Sequence, residues 1–193
     1  MAAMDGPDRM KPTSTAKLTY EDFLSFPDDG RRHELIDGEH YVTASPATKH
    51  QRLVGRLHAS LFLYLQSRGT GEVFTAPFDV VLSSSDVVEP DLLVVLEDQA
   101  DILTDQHVRG APAIVIEILS PATRVRDEQL KRGLYERAGV REYWLVDPQR
   151  DAITLCGRAP DGGLVAVVHL ASSETLTSSL LPGFSMPLSD LFR

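Results

Sequence analysis

Glu117 stands in the middle of an apolar run, Ala113 to Leu119. Ile114, Ile116 and Ile118 alternate there with Val115, Glu117 and Leu119. Both faces are apolar except at Glu117, the pattern of a central strand covered on both sides. An ionised carboxylate in that place is costly unless it is paired, hydrogen-bonded or bound to a metal. Two readings are open: a core glutamate held by an arginine such as Arg124 or Arg126, or a ligand in a site. Asp91 follows Pro90, 26 positions before Glu117. If their strands are neighbours, the two carboxylates converge on one point. Oxygen ligands at such a point suit Mg²⁺ or Mn²⁺. Lys131 lies fourteen residues past Glu117, on the next expected helix, and is long enough to reach back to the strand. A carboxylate pair, a cation and a bound metal form a minimal kit for phosphodiester hydrolysis. The metal lowers the pKa of a water and neutralises charge on phosphate, and the lysine orients that water or stabilises the transition state. The plainer reading of Lys131 is an i,i+4 pair with Asp127, worth a few tenths of a kcal/mol.

Those residues need a scaffold. At 193 residues the chain fits one domain with a sizeable core, and 42% hydrophobic with 24% charged residues is an ordinary globular composition. No run of about 18 apolar residues occurs, so no transmembrane helix is expected. The segment 1–17 reads as a flexible tail without the apolar stretch of a secretory signal, with Met4 and Met10 as alternative starts, and 18–193 as the folded domain. Cys156 is the only cysteine, which excludes an intrachain disulfide and suits a reducing cytoplasm. The net charge of −9 argues against a nonspecific nucleic-acid coat. It leaves room for an enzyme that meets DNA through a small basic face and a metal. Residues 124–141 carry six basic against three acidic side chains, directly after the Glu117 strand.

Residues 18–26 form a short amphipathic helix, with Thr19 and Asp22 spaced as a capping box. HELI and EHYV flank Asp37-Gly38, the signature of a hairpin with a type I′ turn, and Glu34 lies on its first strand. Ser45-Pro46 opens a helix that runs to about Arg68. Leu53, Leu57, Leu61 and Leu65 make its stripe, and His50 lies in its first turn. Strand material at 72–82, broken by Pro77, pairs antiparallel with a strand at 87–96, where Pro90 predicts an irregularity at Pro90-Asp91. Asp79, inside FDVVL, is a candidate buried acid. Residues 97–110 are a loop with a short helical piece. After the central strand at 112–119, Ser120 or Thr123 caps a helix to Ala138, with Leu130, Leu134 and Ala138 inward. Gly133 there suggests close packing on the sheet. Strands follow at 142–146, 153–157 and 164–170, then a loop and a short helix to the end. Trp144 and Tyr143 read as core aromatics. The order gives an α/β (α+β) fold, a mixed sheet flanked by helices, with a parallel crossover over 112–146.

Other chemistries find no footing. The six histidines make no HExxH pair, no glycine loop of the GxGxxG or Walker type is present, and no GxSxG elbow occurs.

The segments EPD at 89–91 and EIL at 117–119, with a displaced Lys131, resemble the PD-(D/E)XK nuclease superfamily. The likeness is closer to its putative restriction endonuclease family, widespread in cyanobacteria and actinobacteria. RRHELIDGE at 31–39, SPATKH at 45–50, EPDLLVV at 89–95 and the long stretch 117–148 carry it. The resemblance spans roughly residues 18–190. It implies a restriction-endonuclease-like core of helix, three strands, helix and strand. It also implies Asp91 and Glu117 as metal ligands, with the Ile118 carbonyl as a third. The superfamily's lysine belongs two residues after Glu117, where Leu119 stands, so Lys131 takes its role. Glu34 as a further ligand and His50 as a phosphate or water contact follow as secondary candidates. The expectation is a Mg²⁺- or Mn²⁺-dependent endonuclease acting on DNA, working as a homodimer. Its rivals are a catalytically idle nucleic-acid-binding or regulatory module on the same fold, and a purely structural salt bridge at Glu117.

Overall fold

Two prolines set the architecture. The computed structural model describes residues 16–193; residues 1–15 of the expected tail lie outside the described residues. In chain order the elements are α1 (Tyr20–Phe23), β1 (Arg32–Ile36), β2 (Glu39–Thr43), α2 (Thr48–Arg68), β3 (Gly71–Thr75), β4 (Val80–Ser83), β5 (Asp86–Val88) and β6 (Leu92–Leu96). A 3₁₀ turn at Glu97–Ile102, β7 (Val108–Arg109) and β8 (Ile114–Ile118) follow. A π-turn at Arg126–Lys131 leads into α3 (Arg132–Ala138), then β9 (Glu142–Asp147), β10 (Ala152–Arg158), β11 (Leu164–Ala171), β12 (Thr175–Ser178), β13 (Leu181–Pro187) and α4 (Leu188–Phe192).

The two long strands expected at 72–82 and 87–96 are each split, at Pro77 and at Pro90. Proline cannot donate to a ladder, so both strands leave their sheet at that level. The paired halves β3 and β6 stay in a six-stranded sheet of order β11-β10-β9-β8-β6-β3. The paired halves β4 and β5 enter a five-stranded sheet of order β2-β1-β5-β4-β7. The Ala76 amide donates to the Asp91 carbonyl at 3.2 Å across the bend. One bent hairpin therefore belongs to two sheets, where the sequence suggested a single mixed one. The order helix, three strands, helix, strand implied by the family resemblance is that of α2, β3, β6, β8, α3 and β9. β8 and β9 are parallel, the crossover expected over 112–146.

The six-stranded sheet is covered on both faces. Ile114, Ile116 and Ile118 pack with Leu53, Leu57, Leu61 and Leu65 of α2 and with α4. Val115 and Leu119 pack with Leu134 and Tyr135 of α3 and with Val80, Val88 and Ile36 of the five-stranded sheet. Each fully buried leucine of the α2 stripe contributes roughly 1.5–3 kcal/mol. The hairpin turn has both Asp37 (φ 53°) and Gly38 (φ 74°) left-handed, as the type I′ geometry requires. Thr19 and Asp22 form their capping box.

Several local expectations are corrected. α2 begins at Thr48 behind the N-cap Ala47, so Pro46 precedes the helix. The closing loop contains the hairpin β12–β13. The inward face of the α3 region holds Asp127, Lys131, Leu134 and Tyr135, while Leu130 and Ala138 are only partly buried. The wide π-turn moves the inward face onto those polar residues, whose partners lie on the sheet. Gly133 does not touch the sheet: a Cβ there would meet only Arg137 Nη1, at 3.4 Å. Glycine in that helix costs propensity without a packing return. Gly133→Ala is expected to raise unfolding stability by about 0.5–1 kcal/mol in urea denaturation; a loss of stability would show that close approach matters after all.

Candidate active site at the joint between the sheets

Asp91 is the first residue past the Pro90 bend, immediately before β6. β6 pairs antiparallel with β8, Leu92 opposite Ile116, so the ladder extended by one step puts Asp91 beside Glu117. The two acids expected to converge do so. Asp91 Oδ2 accepts from the Ile118 amide at 2.8 Å and is 3.0 Å from His50 Nε2. Its Oδ1 accepts from Arg32 Nη1 at 2.9 Å. Leu119 bonds with β9 through its amide, so Ile118 faces β6. In a strand the amide and carbonyl of one residue share an edge, which aims the Ile118 carbonyl toward Asp91 as well.

Glu117 is 2% exposed and is held from the π-turn and α3 rather than by Arg124 or Arg126. Lys131 Nζ donates to its Oε1 at 2.8 Å, and the Tyr135 hydroxyl donates to the same oxygen at 2.9 Å. No hydrogen bond falls on Oε2 among the described residues. Lys131 also meets Glu34 Oε1 at 2.6 Å. Lys131 thus reaches the strand as expected, and makes a carboxylate–lysine–carboxylate bridge instead of the alternative i,i+4 pair with Asp127. Glu34 is fully buried, not an exposed hairpin charge. It accepts from the Glu89 amide at 3.1 Å, and its Oε2 has no hydrogen-bond partner among the described residues. Arg124 pairs instead with Glu128 and Asp147, both at 3.0 Å. Arg126 reaches Thr43 Oγ1 at 2.6 Å and lies over the Tyr41 ring.

Most of these groups line one cleft of about 390 Å³, while the fully buried Glu34 and Tyr135 stand behind its wall. Asp91, Glu117, Lys131, His50 and the Ile118 backbone all reach it. Asp79 does not: it is half-buried ahead of β4, and its charge helps to raise Glu89. Arg32, Asp127 and Tyr135 were missed as site residues. Signals for them existed. Arg32 and Glu34 are two apart on a strand and share a face, and Asp127, Lys131 and Tyr135 recur at helical spacing. The tetrapeptide Ser-Pro-Ala-Thr also occurs twice, at 45–48 and 120–123, and both copies line the cleft.

Charge in the cluster is crowded. Burial would raise Asp91, but the His50 hydrogen bond and the Arg32 charge outweigh it and hold the carboxyl down to about 2. Burial pushes Glu117 up, and Asp127, Asp91 and Glu34 add to it against the pull of Lys131. Burial likewise raises Asp127. For Lys131 burial works against the charge, and Glu117, Glu34 and Asp127 more than offset it, so the ammonium stays protonated. Among the described residues no three His, Cys, Asp or Glu side chains are grouped as metal ligands. The donor chemistry nonetheless fits a hard divalent cation: two carboxylates and a carbonyl on adjacent strands, with no hydrogen bond on Glu117 Oε2 among the described residues; Glu34 Oε2 faces Arg126 Nη2 at 3.7 Å.

The profile of the Uma2 family, described as "Putative restriction endonuclease", matches residues 20–189. An uncharacterized protein of Synechocystis sp. is 26% identical over 180 residues, 92% of each chain. A crystal structure from Anabaena variabilis, titled as a "putative nuclease belonging to DUF820", shares the fold with a TM-score of 0.72 at 18% identity, over 91% of this chain and 97% of that one. No helix of the described residues is long and apolar enough to cross a membrane.

Glu89 gives the cluster a measurable pH dependence. It is 8% exposed, and burial with the nearby Asp79 charge raises it from 4.5 to about 7. Between those values the folded chain keeps a proton that the unfolded chain releases, so stability falls as pH rises through that window. Glu89→Gln is expected to remove roughly 2–3 kcal/mol of this loss. In chelator, the melting-temperature gap between pH 5 and pH 8 should narrow in the variant; an unchanged gap overturns the assignment.

Proposed function

The chain belongs to the Uma2 family, the nuclease family of restriction-endonuclease-like fold described above, and from that premise we propose a divalent-metal-dependent endonuclease that hydrolyses phosphodiester bonds in DNA. The observation that carries this reading is the meeting of Asp91 and Glu117 from neighbouring strands in one cleft, with Lys131 Nζ 2.8 Å from Glu117. Asp91, Glu117 and the Ile118 carbonyl would hold Mg²⁺ or Mn²⁺. When bound there, the ion lowers the pKa of a water and offsets charge on phosphate.

Lys131 does its work as a cation. Its ammonium is kept protonated by three carboxylates, so it is a donor and not a base. It orients the attacking water or stabilises charge on the transferring phosphate. The Tyr135 hydroxyl, bonded to Glu117 Oε1, fixes the carboxylate that Lys131 shares. Glu34 fixes the other side of Lys131 and offers a further oxygen ligand. His50 holds Asp91 Oδ2 through Nε2, and its buried Nδ1, without a hydrogen-bond partner among the described residues, would take a water. One such centre cuts one strand, so a double-strand cut calls for a homodimer.

The rival, a catalytically idle nucleic-acid-binding module, draws support from one observation: both oxygens of Asp91 are engaged by the protein's own groups. Nicking of supercoiled plasmid in Mg²⁺ or Mn²⁺ separates the two. Wild type should nick, Asp91→Ala and Glu117→Ala should not, and Lys131→Met should fall at least about 100-fold. Mn²⁺ at millimolar concentration should raise the melting temperature of wild type but not of Asp91→Ala. Equal background in all four proteins, with no thermal shift, would leave the idle module standing.

A further inference from the structure

The proposed site is closed by a residue of its own chain. Arg32 comes from β1 of the five-stranded sheet and crosses to Asp91 at the end of the other sheet. Its hold is a narrow one. Nη1 alone donates both to Asp91 Oδ1, at 2.9 Å, and to the Glu89 carbonyl, at 3.1 Å. A structural arginine on a carboxylate commonly uses two nitrogens in a fork. Here Nε and Nη2 make no hydrogen bond among the described residues, and neither is a buried atom without a partner. Arg32 lines the cleft and its side chain is 19% exposed.

The two oxygens of Asp91 are not equivalent. Oδ2 is fixed from two directions, by the Ile118 amide and by His50. Oδ1 has Arg32 as its only hydrogen-bond donor among the described residues. A divalent ion on Oδ1 and a guanidinium 2.9 Å from it would repel each other at close range.

We propose that Arg32 is an internal counter-cation for Asp91 Oδ1, which a divalent metal displaces, and that the released guanidinium then takes a backbone phosphate of the nucleic acid. This rests on the metal-dependent reading above. The planar fork, unused toward protein, suits phosphate. The displaced arginine keeps its place in the cleft because it is anchored on β1, beside Glu34. Empty and loaded sites then differ in what Arg32 holds, so metal and nucleic acid assist each other's binding through one side chain.

The test uses the full chain and Mn²⁺ alone, followed by calorimetry, in wild type, Arg32→Gln, Arg32→Lys and Asp91→Ala. Arg32→Gln removes the charge and withdraws the donor from Asp91 Oδ1, and is expected to bind Mn²⁺ about tenfold tighter or more. Arg32→Lys should stay near wild type, and Asp91→Ala should lose binding. A duplex oligonucleotide in Ca²⁺ should bind Arg32→Gln several-fold more weakly than wild type. A second measurement needs no variant: in a Mg²⁺ titration of wild type, the Arg32 Nε–H NMR resonance should shift with metal occupancy. Mn²⁺ affinity in Arg32→Gln equal to or below wild type, with Asp91→Ala still defective, overturns the displacement and leaves the metal site intact. So does an Arg32 resonance that ignores Mg²⁺. Absence of Mn²⁺ binding in all four proteins overturns both the displacement and the metal-dependent reading.

Discussion

Everything at the joint between the two sheets leans on the ammonium of Lys131. It reaches Glu34 on the five-stranded sheet at 2.6 Å and Glu117 on the six-stranded sheet at 2.8 Å, from a helix that belongs to neither. All three groups are almost wholly removed from solvent. Desolvating such a set costs several kcal/mol per ion, and a well-packed apolar trio of the same volume is often as stable or more so. Removing the lysine alone would strand two carboxylates facing each other. The bridge is therefore poor value as a stabiliser and tightly constrained as a geometry. A buried charge held in that manner has the character of a functional group.

The second constraint is the bend. A hairpin that stayed in one sheet would carry Asp91 along a continuous ladder, with its backbone bonded and its side chain fixed by the pleat. Pro77 and Pro90 end the ladder on both strands at one level, and the halves beyond it join the opposite sheet. The corner opens the cleft and frees Asp91 to accept from the Ile118 amide. It also brings β1 across from the other sheet, and with it Arg32 and Glu34. The prolines that look like damage to a strand pattern are the means by which two sheets share one site.

Legibility followed from the range of the interactions. Glu117 was visible because one charge in an unbroken apolar run violates a local rule, and Asp91 because a proline beside it broke a strand. Lys131 could be placed on a helix returning over the sheet toward Glu117, but its contact with Glu34 could not, since Glu34 is 97 positions away in sequence. Glu34 entered as a secondary candidate through the family resemblance, and the second sheet that buries it is a long-range feature that its own hairpin does not announce. Arg32 escaped notice beside the more frequent exposed arginine. The π-turn at Arg126–Lys131 was out of reach: periodicity at 3.6 put Leu130 and Ala138 inward, and one wide turn was enough to put Asp127 and Lys131 there instead.

The overall charge of −9 and a polyanionic substrate look incompatible until the cleft is considered by itself. Around Lys131, the carboxylates of Glu34, Asp91, Glu117 and Asp127 face the full cations Arg32, Arg126 and Lys131. Burial pushes Glu117 and Asp127 upward, while the carboxylates around Lys131 outweigh burial and keep its ammonium protonated. One divalent ion would add two positive charges beside these carboxylates and strengthen the attraction for phosphate. On the proposed reading the ion thus assists substrate binding as well as chemistry. Its uptake would release the protons that the crowded carboxylates hold, so affinity for the metal should rise with pH. A globally acidic protein with such a cleft would make few nonspecific contacts with nucleic acid elsewhere on its surface. Its selectivity would then sit in one place, where two sheets, a helix turn and an arginine meet.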